Sequence, residues 1–192
     1  LNLAIRRQRQ MCIIARYYPL GVVGLISPWN YPLSLGVGDV LAALSAGNAV
    51  VHKPDSQTTL TAIVLRRLAI EAGLPADCWQ LVPGEGATVG DALLPRVDGV
   101  SFTGSTAVGK SIAAQSAARL VPTMLELGGK NPLLVLDDAD SARTAAGTVR
   151  AAFSSSGQLC MSAERAYVHA DVYDAYVREL IAAIGRERLG AA

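Results

Sequence analysis

Gly99-Val-Ser-Phe-Thr-Gly-Ser-Thr-Ala-Val-Gly-Lys-Ser111 joins a short apolar run to a stretch of helical periodicity through a Thr-Gly-Ser turn. Read as a strand over 99–102 and a helix over 106–118, it is one strand-turn-helix unit, and the same unit recurs on both sides. Upstream, 22–27, 49–52 and 80–82 read as strands, and 35–46, 57–72 and 87–94 as helices; downstream come a strand over 133–136 and a helix over 141–154. The strands are short, nearly continuous apolar runs rich in Val, Ile and Leu, the pattern of a parallel sheet covered on both faces. The fold class expected is α/β with a doubly wound parallel sheet. Gly47-Asn48 and Gly73-Leu-Pro75 stop the helices before them, and Asp55 or Ser56 can cap the helix that opens at Gln57.

The 192-residue chain is 51% hydrophobic, enough to bury a substantial core. Seventeen basic residues against sixteen acidic ones leave a net charge of +1, so no global field draws the chain to nucleic acid or an anionic membrane. The apolar runs break at Gly, Pro or charge well short of a membrane span. Three cysteines without paired spacing and two histidines give neither a disulfide framework nor a zinc site, imply no metal, and fit a reducing cytoplasm. Residues 1–16 read as the end of a helix and a connecting strand, with Cys12 a structural thiol. The chain opens on Leu1 without methionine and closes on Arg186-Glu-Arg-Leu-Gly-Ala-Ala192 just after a helical pattern, which reads as a piece of a longer protein.

Ligands of a doubly wound sheet sit beyond the carboxyl ends of its strands, and four junctions there carry polar chemistry. In Ser27-Pro-Trp-Asn-Tyr-Pro32, an asparagine held between prolines can offer its amide N–H to a developing oxyanion; the plain alternative is a rigid polar turn. In His52-Lys-Pro-Asp-Ser56, Lys53 can meet a ribose or a phosphate, or be a solvated charge, while His52 reads as structural. Gly104 to Ser111 satisfies the phosphate-loop pattern Gly-x-x-x-x-Gly-Lys-Ser, and Leu133-Leu-Val-Leu-Asp-Asp138 looks like the strand that accompanies such a loop. The fourth junction pairs Glu126-Leu-Gly-Gly-Lys130, a carboxylate on a glycine-flanked turn, with Gly157-Gln-Leu-Cys160. A thiol acts as nucleophile in its thiolate form, and a carboxylate able to take a proton from thiol or water is its usual partner in acyl chemistry. Cys78 has no comparable surroundings and reads as a packing residue.

Taken together and in order, Pro28-Trp-Asn30, Lys53-Pro54, Phe102-Thr-Gly-Ser105, Glu126-Leu-Gly-Gly129 and Gln158-Leu-Cys160 resemble the aldehyde dehydrogenase superfamily from about residue 17 to the end. A phosphate-loop nucleotide-binding protein, the alternative of another class, accounts for only two of the segments. The resemblance makes Cys160 the nucleophile, Glu126 the general base and Asn30 the side-chain part of the oxyanion hole. It places Ser27, Pro28, Trp29, Asn30, Lys53, Pro54, Asp55, Ser56, Gly84, Gly104, Ser105 and Leu127 around an NADP or NAD cofactor. Many NAD-preferring members carry a glutamate where Ser56 stands; serine removes the repulsion of a 2′-phosphate and can donate to it, so NADP is expected.

The implied domains are a cofactor-binding domain, 1–126, and the start of a catalytic domain, 127–192. The implied reaction is oxidation of an aldehyde to a carboxylic acid. Lys53-Pro-Asp-Ser-Gln-Thr-Thr59 and the approach to Cys160 are most similar to NADP-dependent succinate-semialdehyde dehydrogenases. Leu33-Ser-Leu-Gly-Val-Gly38 lacks the arginine that better-known members of that activity place there, which leaves Arg150 or a residue elsewhere to meet a substrate carboxylate and a broad-range aldehyde dehydrogenase as the alternative. A small-molecule aldehyde is the expected partner, in a homo-oligomer, dimer or tetramer, of the full-length protein. The piece alone, as an inactive nucleotide-binding module, is the remaining alternative.

Overall fold

The computed structural model describes residues 17–188 and 190; the reading of residues 1–16, Cys12 included, lies outside them. The described residues form seven strands and six α-helices: β1 (Val22–Ile26), α1 (Ser34–Ser45), β2 (Ala49–Lys53), α2 (Thr59–Glu71), β3 (Trp79–Leu81), α3 (Gly86–Leu93), β4 (Gly99–Thr103), α4 (Thr106–Ala117), β5 (Thr123–Glu126), β6 (Asn131–Val135), α5 (Ser141–Phe153), β7 (Ala163–Val168) and α6 (Ala170–Ile184). They fall into two compact units, one ending at Glu126 and the other beginning at Leu127.

The first unit is a five-stranded sheet in the order β3-β2-β1-β4-β5, parallel throughout. Apolar side chains on alternate strand positions explain the two-sided covering. Leu25, Val50 and Trp79 pack against Val40 and its neighbours Val37 and Leu44 of α1, and against Leu65 and Ala69 of α2. A Cβ on Gly24, one residue along β1 and therefore on the opposite face, would lie 3.1 Å from Val97 and 3.4 Å from Leu93, so α3 and its continuation close that side. Strand order reverses between β1 and β4, where Ile26 stands beside Phe102. That reversal is the topological switch point, where the crossovers on the two sides of β1 part and leave a crevice.

The ten elements given bounds from the sequence begin and end within about two residues of them. The helix expected from Gln57 opens instead with a 3-10 turn, Ser56–Thr58, capped by Asp55, whose Oδ1 accepts from the Gln57 N–H at 2.9 Å. Gly47 and Gly73 take φ of 86° and 106° just past α1 and α2, the left-handed stop read from the sequence. β5 was not expected, and it makes Glu126 the last residue of a strand instead of part of a turn.

The second unit is a βαβ element followed by a helix: β6 and β7 pair in parallel, and α5 makes the crossover. Val135, Ala145, Val149, Tyr176 and Ala183 are its buried core. The buried Tyr176 hydroxyl shares a 2.9 Å hydrogen bond with the Thr148 hydroxyl, which itself donates to the Thr144 carbonyl, so both polar groups are satisfied inside that core.

Candidate functional site

β1 ends at Ile26 and β4 at Thr103, and the chain leaves both over the crevice of the switch point. A cavity of about 650 Å³ opens there, within the range of small-molecule and cofactor sites. Seven residues singled out from the sequence line it: Ser27, Pro28, Trp29, Lys53, Asp55, Gly104 and Ser105. Alternation along β2 sends Lys53 to this side while His52 goes to the other.

Lys53 is only 5% exposed, and among the described residues it has no salt-bridge partner. A buried ammonium is costly until polar groups complete its solvation, and a ligand rich in hydroxyls or phosphates supplies them. Ser105 caps α4, its Oγ accepting weakly from the Val108 N–H at 3.4 Å, and the first turn of that helix faces the cavity with the backbone amides that favour an anion. Between α3 and α4 the wall turns apolar, with Ala87, Leu94, Val108 and Ile112. A buried cation, a helix N-terminus and an apolar slot together suit a nucleotide.

Asn30, Pro54, Ser56 and Gly84 do not line the cavity. Pro54 is buried beside Lys53, and Ser56 is exposed with its hydroxyl donating to the Gly84 carbonyl at 3.3 Å, which joins the ends of β2 and β3. The Ser27 hydroxyl is held at 2.7 Å by Nε2 of His52, a residue 1% exposed and stacked on Trp79 with ring centroids 6.1 Å apart. Burial, with the Lys53 charge adding to it, lowers the His52 pKa from 6.5 to about 4, so the ring is neutral and structural. Sequence reading missed the cavity face of α3. Gly86 and Gly90 lie four positions apart on it, and a Cβ at either would meet nothing within 4 Å, so open space and not packing surrounds them. That i, i+4 glycine pair was the available signal.

The phosphate-loop alternative fails on local geometry. Only Gly104 and Ser105 separate β4 from α4, and the Gly109 N–H already bonds to the Ser105 carbonyl at 2.9 Å, so Gly109-Lys110-Ser111 is helix and no loop cradles a phosphate. Lys110 is exposed on that helix, and Leu133–Val135 belong to the separate β6-β7 sheet.

Glu126 is exposed at the end of β5, and Leu127 opens the second unit. In that unit, α5 gives way to Ser155, Ser156 and Gly157 with φ of 52°, 58° and 74°. Left-handed backbone costs an L-residue roughly 1–2 kcal/mol, and such strain gathers at functional segments. The next residues, Leu159–Ser162, close a turn through a 3.1 Å bond from the Ser162 N–H to the Leu159 carbonyl, with Cys160 exposed on it. Arg150 lines a different cleft, between α5 and α6 with Arg186 and Glu187, whose lining does not include Cys160. Among the described residues no cluster of His, Cys, Asp and Glu could hold a metal, Cys78 and Cys160 are free thiols, and no helix is long and apolar enough to cross a membrane.

The sequence pattern of the Aldehyde dehydrogenase family matches residues 3–192. Over 176 residues the chain is 47% identical to a Mycobacterium tuberculosis protein named "Putative succinate-semialdehyde dehydrogenase, NADP(+), 2", a match covering 92% of this chain and 34% of that one. It is also 47% identical over 164 residues to the phenylacetaldehyde dehydrogenase of Pseudomonas fluorescens, covering 84% of this chain and 33% of that protein. The NAD+ complex of a Bacillus cereus aldehyde dehydrogenase superposes with a TM-score of 0.88 at 39% identity, over 92% of this chain and 36% of that structure. The chain therefore spans about a third of the length of these relatives. Fold, segment order and family match agree: the chain belongs to the aldehyde dehydrogenase family.

Proposed function

We propose that the protein oxidises an aldehyde to a carboxylic acid with NADP or NAD. The observation that carries this is the switch-point cavity, in which the buried Lys53, the first turn of α4 and an apolar wall gather from segments far apart in the chain. Lys53 and Asp55 would hold ribose hydroxyls, Gly104 and Ser105 the pyrophosphate, and Pro28 and Trp29 the cleft wall. When bound, the nicotinamide supplies the hydride acceptor.

The residues of the chain perform the rest. The Cys160 thiolate attacks the carbonyl carbon to form a thiohemiacetal, and the Asn30 amide and the Cys160 backbone N–H donate to the oxyanion. Loss of hydride leaves a thioester on Cys160. Glu126 then takes a proton from water, whose oxygen attacks the thioester; the acid departs and the thiolate is regenerated. Residues 1–126 act as the cofactor-binding domain and 127–192 as the start of the catalytic one, in a cytoplasmic homo-oligomer.

Two substrates are supported. The name of the mycobacterial relative and the serine at position 56 favour succinate semialdehyde with NADP. The equal identity to a phenylacetaldehyde dehydrogenase, and the seat of Arg150 in a cleft that does not include Cys160, favour a broader aldehyde range.

Aldehyde-dependent reduction of NADP and NAD by the complete protein and its Cys160→Ala variant tests the proposal. Wild-type turnover with loss of about 10³-fold or more in the variant is expected. Cofactor binding without turnover in wild type would leave a nucleotide-binding module that has lost the chemistry. Turnover of succinate semialdehyde no faster than that of an uncharged aldehyde of similar length would remove the narrow substrate.

A further inference from the structure

We infer that Asn131 is a positioning residue for the nucleophile, a role that rests on the assignment of Cys160 as that nucleophile. Asn131 opens β6, and its Nδ2 donates to the Cys160 carbonyl at 2.6 Å and the Ser162 carbonyl at 3.1 Å. Both partners are acceptors, so the side chain must present its amide hydrogens to them. Those two carbonyls lie on either side of Met161 in the turn that carries the thiol, and the Ser162 N–H closes the same turn onto the Leu159 carbonyl. One amide thus fixes the peptide plane directly after Cys160.

The clamp is itself held firmly. Asn131 pairs with Ala163 in the β6-β7 ladder, at the point where the register shifts before Pro132, and the preceding Lys130 forms an ion pair with Glu164 next to Ala163. On the other side of Cys160 the chain runs through the left-handed Ser155-Ser156-Gly157 segment, in which the Gln158 N–H bonds to the Ser155 carbonyl at 3.1 Å. The thiol therefore sits between a left-handed approach and a strand, and the Asn131 side chain ties it to the strand. A nucleophile must be held close to its attack geometry, and a misplacement of about 1 Å can cost on the order of 10²-fold in rate.

Asn131→Ala removes the donor. Asn131→Asp keeps the shape and sets a carboxylate against two carbonyls, while Asn131→Gln keeps the donor on a longer arm. In the complete protein, hydrogen exchange of the Ser162 amide is expected to quicken at least ~10-fold in the Ala and Asp variants, with the β6-β7 amides unchanged. The pre-steady-state hydride burst, scaled to titrated thiol, is expected to slow by about 10–100-fold in both, with the aldehyde KM within about threefold of wild type and partial recovery in Asn131→Gln.

A Ser162 amide equally protected in wild type and both variants overturns the clamp whatever the activity. A loosened turn with a wild-type burst rate per thiol overturns the positioning role and leaves a structural one. Loosening in a protein whose wild type reduces no cofactor in the presence of aldehyde overturns the role together with the nucleophile assignment, and is distinguished from the other results by the inactive wild type.

Discussion

The Gly104 N–H donates to the Glu126 carbonyl at 3.0 Å, one step past the rung that pairs Thr103 with Glu126. The turn that opens the cavity and the carboxylate proposed as base are thus fixed to each other by the last rungs of one β ladder. Because the Glu126 side chain is exposed, its replacement leaves the core of the unit untouched.

Glu126→Gln is expected to keep stability within about 0.5 kcal/mol and to lower kcat by about 10²–10⁴-fold. The lost step is hydrolysis, so one hydride per thiol should still appear. Intact mass after a rapid quench checks this: an acyl adduct on Cys160 should accumulate in the variant and not in wild type. An unmodified thiol in the variant would show that Glu126 acts earlier.

Which elements could be read from the sequence follows from how they are buried. β1, β2 and β4 lie inside the sheet, and their short apolar runs, Val, Leu and Ile in β1, Ala and Val in β2, Val and Phe in β4, marked them. β5 is four residues long at the sheet edge with alternating exposure, and β7 carries Glu164 and Arg165 on largely exposed positions, so neither has an apolar signal. The left-handed backbone at Ser155 and Ser156 has no counterpart in residue type, since serine gives no such hint. The segments that line the cavity could be picked out because they follow strands, and the ligands of such a sheet gather beyond strand ends. Asn131 was not, because its partners lie about thirty positions away and only the folded βαβ unit brings them to it.

Ser56 stands exposed in the 3-10 turn that follows β2, its hydroxyl donating to the Gly84 carbonyl at 3.3 Å. Ser56→Glu places a carboxylate where a 2′-phosphate is proposed to lie, and like charges at such a distance near a surface repel by a few kcal/mol. NADP affinity is expected to fall by ~10²-fold or more while NAD affinity holds or improves. Fluorescence titration of both cofactors measures it, and equal losses for the two would place the 2′-phosphate elsewhere.

Gly90 tests the cavity without touching the chemistry. It is a buried helical residue of α3 whose Cβ would meet nothing, so Gly90→Ala should stabilise the protein by up to about 1 kcal/mol through helix propensity. Gly90→Leu instead directs a branched side chain into the space between α3 and α4. Cofactor affinity should fall about tenfold or more in the leucine variant and little in the alanine one, with both folded by circular dichroism. Unchanged affinity in Gly90→Leu would move the nucleotide out of this slot.

The neutral, buried His52 makes stability depend on pH. Its folded pKa of about 4 lies below the ordinary 6.5, so between those values the unfolded chain binds a proton that the folded one refuses. The unfolding free energy therefore rises with pH across that window. The contribution is complete above about pH 6.5 and is lost as pH falls toward 4, to an extent on the order of 3 kcal/mol. Other groups titrate in the same range, so the comparison needed is with His52→Gln, which cannot take up the proton. Urea midpoints at pH 7 and pH 4.5 should converge for the variant more than for wild type, which loses stability steeply on acidification. Parallel losses in the two proteins would mean that the ring takes up its proton as readily in the fold as in the unfolded chain, and that burial does not hold it neutral.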